Sequence, residues 1–164
     1  MPDARRAIVT DTTPLIALAA GTGDLEILHA LYERVIVPFE VAEELHAAGG
    51  GALGVAAFEK ATWLERRTAA VPVSQLLGNT LDRGEASVIQ TALNEGIALV
   101  CIDETVGRRV ARMSGLTLTG SIGVLIKAQR QGYAVSIPQV LDRMREHGIW
   151  LSEEVVRFAL RHGD

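Results

Sequence analysis

The sequence contains few cysteine and aromatic residues and carries little positive charge, and each of these features excludes a class of structure or function. A single cysteine, Cys101, excludes an internal disulfide and favours a reducing compartment, so we expect the protein in the cytoplasm. Aromatic residues make up only 4% of the 164 residues, so alanine and aliphatic side chains must build the core. The formal net charge of −4 is the wrong sign for a protein that coats nucleic acid without specificity, although it suits a local acidic site for divalent cations.

The sequence also lacks long apolar runs and the P-loop motif. No apolar stretch reaches the ~18 residues that indicate a membrane span, and Asp11 interrupts the only candidate core of a signal peptide. We therefore expect neither membrane association nor export. GxxxxGKS/T is absent, which argues against a P-loop site, and GxGxxG occurs only as GGGALG at residues 49–54, which follows a predicted helix and not the strand that a dinucleotide-binding site needs. Thr13 stands where a haloacid-dehalogenase-type phosphatase needs its second aspartate, which argues against that class.

Short β-branched runs alternate with helical patterns along the chain. This alternation predicts an α/β fold, a three-layer α/β/α sandwich around a mainly parallel sheet, with residues 1–164 forming a single domain. Four glycines predict a flexible loop over residues 49–54, Ser121 and Gly132 predict the two ends of a helix, and residues 66–82 give no clear pattern. The predicted strands are 7–10, 34–37, 61–65, 97–102 and 116–120, and the clearest predicted helices are 25–32, 38–47, 84–96, 105–113, 121–132, 137–146 and 152–161.

Two of the predicted strands end on an acid directly before a helix. AIVTDTTPLIAL, residues 7–18, places Asp11 at the end of an apolar run, and ALVCIDET, residues 98–105, does the same with Asp103. Open parallel sheets bind ligands outside the carboxyl ends of their strands, where the strand order reverses. If these two strands are neighbours, their carboxylates lie side by side.

Two further acids lie on predicted helices and lean toward the core. Glu85 shares a helical face with three apolar residues, so it should point toward the sheet rather than into solvent. In FEVAEELHA, Glu44 flanks the apolar face, whereas Glu40 and Glu43 lie farther round. Four inward-leaning carboxylates repel one another unless a cation lies between them, and hard oxygen ligands favour Mg²⁺ or Mn²⁺.

Each of these residues also has a purely structural interpretation. Asp11 and Asp103 could be helix N-caps, and Glu85 could favour the positive end of its helix. Thr13 could be an ordinary first-turn residue, or its hydroxyl could orient a carboxylate beside a metal. Cys101 is expected to be a small buried hydrophobe rather than a nucleophile.

In this order, DTTPLIAL, EEL, RGEASVIQTAL and LVCIDETVGRRVA resemble the motifs of the PIN-domain superfamily of metal-dependent nucleases. The resemblance continues through GSIGVLIKAQRQG, covers nearly the whole chain, and is strongest to a prokaryotic subgroup related to the VapC-type toxins. It implies that the family's acidic quartet, which is both catalytic and metal-binding, corresponds to Asp11, Glu44, Glu85 and Asp103, with Thr13 beside the metal.

The chain departs from the pattern of many PIN nucleases at two positions. Glu85 stands where many members have aspartate, which lengthens that side chain by one methylene. Cys101 stands where many members have threonine, which removes one hydroxyl from the neighbourhood of the metal.

The resemblance implies a Mg²⁺- or Mn²⁺-dependent endoribonuclease that leaves a 3′-hydroxyl and a 5′-phosphate, as the toxin of a toxin–antitoxin pair. The expected partners are an RNA substrate, an antitoxin protein and a second copy of the chain in a homodimer. Arg108, Arg109 and Arg112 could contact the RNA backbone or could form a solvated helix face. The alternative is a PIN-like module that no longer cuts and binds a protein partner or RNA.

Overall fold

An all-parallel sheet of five strands lies at the centre of residues 7–49 and 51–163, the part of the chain that this computed structural model describes. The strands are β1 (Ala7–Thr10), β2 (Arg34–Val37), β3 (Glu65–Arg66), β4 (Leu99–Cys101) and β5 (Thr117–Thr119). Their spatial order is β3-β2-β1-β4-β5, and helices flank the sheet. The predicted α/β fold around a parallel sheet is therefore confirmed.

The described residues contain ten α-helices and one π-helical turn, Leu45–Gly49. None of these helices is both long enough and apolar enough to cross a membrane. The α-helices are α1 (Thr12–Thr22), α2 (Glu26–Leu31), α3 (Phe39–Glu44), α4 (Gly51–Lys60), α5 (Gln75–Thr80), α6 (Arg83–Glu95), α7 (Thr105–Met113), α8 (Ser121–Arg130), α9 (Ile137–Glu146) and α10 (Glu153–His162).

Strand β1 is the middle strand and sets the position of everything around it. Its four residues, AIVT, are all buried, as expected of a strand that is covered on both faces. Ile8 stands opposite Val35 of β2 on one side and Leu99 of β4 on the other. The chain therefore runs from β1 outward to β2 and β3, and then returns to add β4 and β5 on the opposite side.

The glycine-rich loop predicted over residues 49–54 is wrong. Helix α4 begins at Gly51, and Gly54 is buried within it where α4 packs against α1 near Ile16, whereas Gly50 lies outside the described residues. Glycine is a weak helix former, and a Cβ at Gly54 would make only an ordinary 3.9 Å contact with Ile16 Cγ1, so the helix forms because α4 packs against α1 and not because this crossing requires a missing side chain. Tertiary packing thus outweighs local propensity here.

Two other local predictions need correction. The strand predicted over 61–65 is a turn as far as Leu64, whose N–H donates to Ala61 O at 3.2 Å, and only Glu65 and Arg66 form β3. Ser121 is not the cap of α8, because Gly120 occupies the N-cap position and Ser121 is the first helical residue. The stretch 66–82, which shows no clear sequence pattern, contains an irregular segment and the short helix α5.

Candidate active site

Asp11 and Asp103 leave neighbouring strands at the carboxyl edge of the sheet. Thr10, the last residue of β1, stands opposite Cys101, the last residue of β4, and the Asp11 N–H donates to the Cys101 carbonyl at 3.0 Å. The strand order reverses here, because β2 lies on one side of β1 and β4 on the other. The structure therefore brings both strand-end acids to the topological switch point, where open parallel sheets bind ligands.

Asp11 stands at the N-cap position of α1 without acting as a side-chain cap. Its side chain makes no capping hydrogen bond, although the residue is only 3% exposed. The pKa of Asp11 is raised to about 7, chiefly by burial and in smaller part by the charges of Asp82, Glu44 and Asp103, while a hydrogen bond from the Thr12 N–H opposes the rise. A buried carboxylate that does not cap its helix favours a functional role over the N-cap interpretation.

Gly84 allows Glu44 to lie next to Asp11. A Cβ at Gly84 would lie 2.5 Å from Glu44 Oε2 and 3.4 Å from Asp11 Oδ1, so a side chain here would displace a carboxylate. The pKa of Glu44 is raised by partial burial and by the charge of Asp82. The hydroxyl of Thr12 lies close enough to oppose this rise slightly, but it makes no complete hydrogen bond.

The two other acids of α3 lie apart from Glu44. Glu43 forms an exposed salt bridge with Arg83, with 2.7 Å between Oε1 and Nη1. Glu40 is buried, and its Oε2 accepts a hydrogen bond from the Val71 N–H at 2.9 Å. Of the three glutamates on this helix, only Glu44 therefore lies against Gly84 and Asp11.

Glu85 points into the protein from the first turn of α6, as its helical face predicts. It is 7% exposed, and its Oε2 has no hydrogen-bond partner among the described residues. Oε2 lies where a Cβ of Gly107 on α7 would be, so glycine at that position makes room for the carboxylate. The pKa of Glu85 is raised to about 8, chiefly by burial, with smaller contributions from the carboxyl of Asp82 and the charge of Asp11.

Asp103 is held by the first residue of α8. The Ser121 N–H donates to Oδ1 at 2.8 Å and the Ser121 hydroxyl donates to Oδ2 at 2.9 Å. Burial raises the pKa of Asp103, whereas these two hydrogen bonds and the Arg108 charge partly oppose the rise. Asp103 thus satisfies the N-terminus of α8 while its strand-end position keeps it beside Asp11.

Sequence reasoning missed two carboxylates at this site. Asp82 is the N-cap of α6, and its Oδ1 accepts the Glu85 N–H at 2.8 Å. Glu104 stands at the N-cap position of α7 without a capping bond, and its charge raises the pKa of Glu44 and Glu85. The D-x-x-E spacing of a capping box could have identified Asp82. We call the six residues Asp11, Glu44, Asp82, Glu85, Asp103 and Glu104 the acid cluster.

The structure does not bring all of the expected supporting and RNA-binding residues to the acid cluster. Thr13 is half-buried, and its side chain makes no hydrogen bond to the acid cluster within the described residues. Arg108 is half-buried, and its Nη1 donates to Ile102 O at 2.8 Å and to Thr119 O at 3.2 Å, at the ends of β4 and β5. Arg109 and Arg112 are exposed on the same helix.

The donor set of the acid cluster suits Mg²⁺ or Mn²⁺. All of its donors are hard carboxylate oxygens, and the buried Oε2 of Glu85 is an acceptor with no protein partner. In residues 7–49 and 51–163, no three histidine, cysteine or acidic side chains already stand in an arrangement that could hold a metal ion. Carboxylates without a cation between them repel one another, so ligation requires side-chain adjustment at this site.

Comparison with known proteins agrees with the fold. No curated protein is significantly similar to this chain. A family model, DUF3368, described as a PIN domain, matches residues 7–163, which include every strand and all six residues of the acid cluster. The chain therefore belongs to the PIN domain family.

Proposed function

We propose that this protein is a metal-dependent endoribonuclease, and the acid cluster is the observation that carries the proposal. Asp11 and Glu85 are buried, Asp103 is half-buried, and none of the six acids forms a salt bridge with another residue in the described part of the chain. Such an arrangement costs stability unless a ligand compensates for it, which points to a functional site.

Each acid has a role that follows from its position. Asp11 and Asp103, at the strand ends, are the principal metal ligands in this proposal, and Glu44 and Glu85 complete the site from α3 and α6. Mg²⁺ or Mn²⁺ bound there supplies a Lewis acid that activates water and offsets the charge of the phosphate. Thr13 remains a supporting residue on the first turn of α1.

The arginines of α7 divide between the fold and the substrate. Arg108 fixes the ends of β4 and β5 through two backbone carbonyls, and through them the position of Asp103. Arg109 and Arg112 are exposed one helical turn apart, and we assign them to the phosphates of the bound RNA. Because the chain carries a net negative charge, such local cations provide the main electrostatic attraction for RNA in this proposal.

Cleavage of single-stranded RNA by the purified protein, with Mn²⁺ or with EDTA, tests the proposal. Asp11→Asn and Asp103→Asn should each lower the rate by about 100-fold or more, because even partners of metal ligands cost 10–100-fold. Glu43→Gln is the matched control, since Glu43 is an exposed acid one residue from Glu44 and pairs with Arg83. Equal metal-independent rates in parent and mutants would contradict the proposal and favour a module that binds without cutting.

The toxin role is a separate part of the proposal and rests on the resemblance to VapC-type proteins. Expression of the parent chain in a bacterial host should arrest growth, and expression of Asp11→Asn should not. Rescue by a small protein encoded beside this chain would identify the antitoxin, and size-exclusion chromatography with light scattering would test the homodimer.

A further inference from the structure

An unpartnered hydroxyl is buried beside the acid cluster. Thr12 is the first residue of α1 and is only 2% exposed, and its Oγ1 has no hydrogen-bond partner in the described part of the chain. A hydroxyl that is removed from water without a partner is unfavourable, so its presence at such a position needs a reason. Thr12 directly follows Asp11, which places this unsatisfied group at the proposed metal site.

The start of a helix offers this hydroxyl no helical carbonyl as an acceptor. Within helices, serine and threonine hydroxyls can donate to the carbonyl four residues earlier, as Thr22 does to Leu18 O at 2.7 Å at the other end of α1. The residue four positions before Thr12 is Ile8, which belongs to β1 and not to a helix. The Thr12 hydroxyl must therefore find its acceptor on another element.

The Glu44 carboxylate is the acceptor within reach of this hydroxyl. Helix α1 packs against α3, and Glu44 Oε2 lies at Gly84 together with Asp11 Oδ1. Partial burial raises the pKa of Glu44, and the Thr12 hydroxyl is close enough to lower it. The hydroxyl thus faces Glu44 but makes no complete hydrogen bond to it.

The other side of the acid cluster shows the same arrangement in a completed form. Ser121 is buried, and its hydroxyl donates to Asp103 Oδ2 at 2.9 Å. Thr12 and Ser121 are each the first residue of a helix that begins one residue after a strand ends, α1 after β1 and α8 after β5. Each of these hydroxyls faces an acid that another part of the chain carries. The difference is that Asp103 is held, whereas Glu44 is not.

Repulsion explains why the contact with Glu44 is left incomplete. Partial burial and the charge of Asp82 both disfavour an ionised Glu44 close to the rest of the acid cluster. A cation that is ligated by Glu44 and Asp11 offsets this repulsion, and the carboxylate is then free to accept the hydroxyl. We propose, on the basis of the proposed metal-dependent function, that Thr12 is a positioning residue whose hydroxyl donates to Glu44 in the metal-bound protein and holds it as a ligand.

Binding of Mn²⁺ to the parent and to Thr12→Val, measured by calorimetry, tests this role without RNA. Valine has nearly the shape of threonine but lacks the hydroxyl. Thr12→Val should bind Mn²⁺ about 10-fold or more weakly, because partners of metal ligands typically contribute 10–100-fold to affinity. Its Tm in EDTA should equal or exceed that of the parent, because the variant buries no unpartnered hydroxyl. Thr12→Ser keeps the hydroxyl and should restore most of the Mn²⁺ affinity.

Thr22→Val is the matched control at the other end of the same helix. The Thr22 hydroxyl already donates to Leu18 O, so this variant loses a hydrogen bond that the metal-free protein makes. It should lower the Tm in EDTA and leave the Kd for Mn²⁺ unchanged, which is the reverse of the result expected for Thr12→Val. If Thr12 had only a structural role, the two variants would behave alike, and the proposal would be overturned. Thr12→Ala also lacks the hydroxyl and serves as the second variant if the valine side chain prevents folding.

A double-mutant cycle assigns the contact to Glu44. Glu44→Ala removes the proposed acceptor, so the further change Thr12→Val should alter the Mn²⁺ affinity of that variant by less than about 2-fold. Equal losses from Thr12→Val in the presence and absence of the Glu44 carboxylate would assign the hydroxyl to a different partner and overturn the proposal.

The failure of this role and the failure of the proposed function are distinguishable. Unchanged Mn²⁺ affinity in Thr12→Val, with RNA cleavage by the parent, would overturn the positioning role and keep the nuclease. Mn²⁺ binding that depends on Thr12, in a parent that cleaves no RNA, would keep the positioning role at a metal site and overturn the nuclease. A parent that binds no Mn²⁺ would overturn both.

Discussion

Two groups of acids in this molecule experience opposite electrostatic environments. Around β3, each acid contacts a cation, and these contacts form what we call the ion-pair edge: Arg34 Nε to Glu65 Oε2 at 2.8 Å, Arg67 Nη2 to Glu95 Oε1 at 2.5 Å, and His46 Nε2 to Glu59 Oε1 at 2.6 Å. The pKa values of Glu59 and Glu65 are lowered, chiefly by hydrogen bonds from His46 and Arg34. In the acid cluster, burial raises the pKa values of Asp11 and Glu85 instead, and the charges of neighbouring carboxylates add to the rise.

The comparison shows that residue type does not decide what an acid does in this fold. The acids of the ion-pair edge are partly exposed and favour the folded state while ionised, although surface pairs of this kind contribute little. In contrast, Asp11 and Glu85 of the acid cluster oppose folding while ionised. A sequence that keeps several of them together at the switch point accepts a loss of stability there, which a bound cation can reverse.

The largest effect expected at a fixed pH is stabilisation of the acid cluster by metal. At a Mn²⁺ concentration of about 100 times Kd, the free energy of unfolding should rise by roughly 2.7 kcal/mol, or about 5–10 °C in Tm for a chain of this size. Asp11→Asn should lose most of this response. In EDTA the same mutant should be as stable as the parent or more so, because it removes a repelled charge. Melting curves with EDTA and with Mn²⁺ measure both quantities, and an unchanged Mn²⁺ shift in the mutant would refute the metal site.

The pH dependence of the free energy of unfolding should distinguish the acid cluster from the ion-pair edge. The pKa is raised to about 7 for Asp11 and to about 8 for Glu85, from 3.8 and 4.5. Between these values the folded chain retains protons that the unfolded chain has released. The free energy of unfolding of the metal-free protein should therefore fall as pH rises from about 4 to about 8, by at most ~1.4 kcal/mol per pH unit for each group.

In the same experiment, the ion-pair edge should contribute a pH dependence of stability with the opposite sign. Because the pKa values of Glu59 and Glu65 are lowered, their contribution is present above the ordinary glutamate value of 4.5 and is lost as the pH falls below it. Denaturant unfolding in EDTA between pH ~4 and ~8 measures the sum of both groups. Stability that rises steadily across that range would show that the cluster acids are not protonated in the folded state.

Gly84→Ala tests the crowding of the cluster by geometry rather than charge. The new Cβ would lie 2.5 Å from Glu44 Oε2, so the Glu44 carboxylate must move away from Asp11. We expect RNA cleavage to fall by about 10-fold. In EDTA, the free energy of unfolding should change by less than about 1 kcal/mol. The higher helix propensity of alanine, worth about 1 kcal/mol relative to glycine, offsets the cost of displacing the Glu44 carboxylate. Cleavage rates and melting curves measure the two effects, and full activity would remove Glu44 from the proposed site.

The smallest effect is expected at the ion-pair edge. Glu65→Gln removes an exposed partner of Arg34 and should lower the free energy of unfolding by about 0.2–1 kcal/mol, without changing cleavage or the Mn²⁺ response. Chemical denaturation and the cleavage assay measure these outcomes. A loss of cleavage in this mutant would mean that the two acid groups are coupled across the sheet.

The sequence predicted the centre of the fold well because its signals there are local and consistent. Each of β1 and β4 is a short buried run that ends on an acid, and the alternation with helices leaves a parallel sheet as the simplest arrangement. The helical face of Glu85 predicted its burial for the same reason. These features depend on periodicity and on strand ends, which are visible in a few consecutive residues.

The features that escaped prediction depend on contacts between distant segments. Gly54 lies within a helix because α1 packs against it, which no local pattern reports. Asp82 joins the acid cluster from a stretch with no clear periodicity. The position of Arg108 is fixed by carbonyls of Ile102 and Thr119, so its identity as a cation suggested RNA contact although its hydrogen bonds serve the sheet.

The pairing of β1 with β4 also sets when the site can exist during the life of the chain. Ile8 pairs with Leu99, across more than half of the sequence, and the Asp103 side chain is then held by Ser121. Closing so long a loop is slow, and a ribosome releases the N-terminal segment first. Asp11 therefore leaves the ribosome before the later residues of the acid cluster have been synthesised. The proposed nuclease site is therefore incomplete during most of synthesis, which would protect the messenger RNA that encodes it until translation is nearly complete.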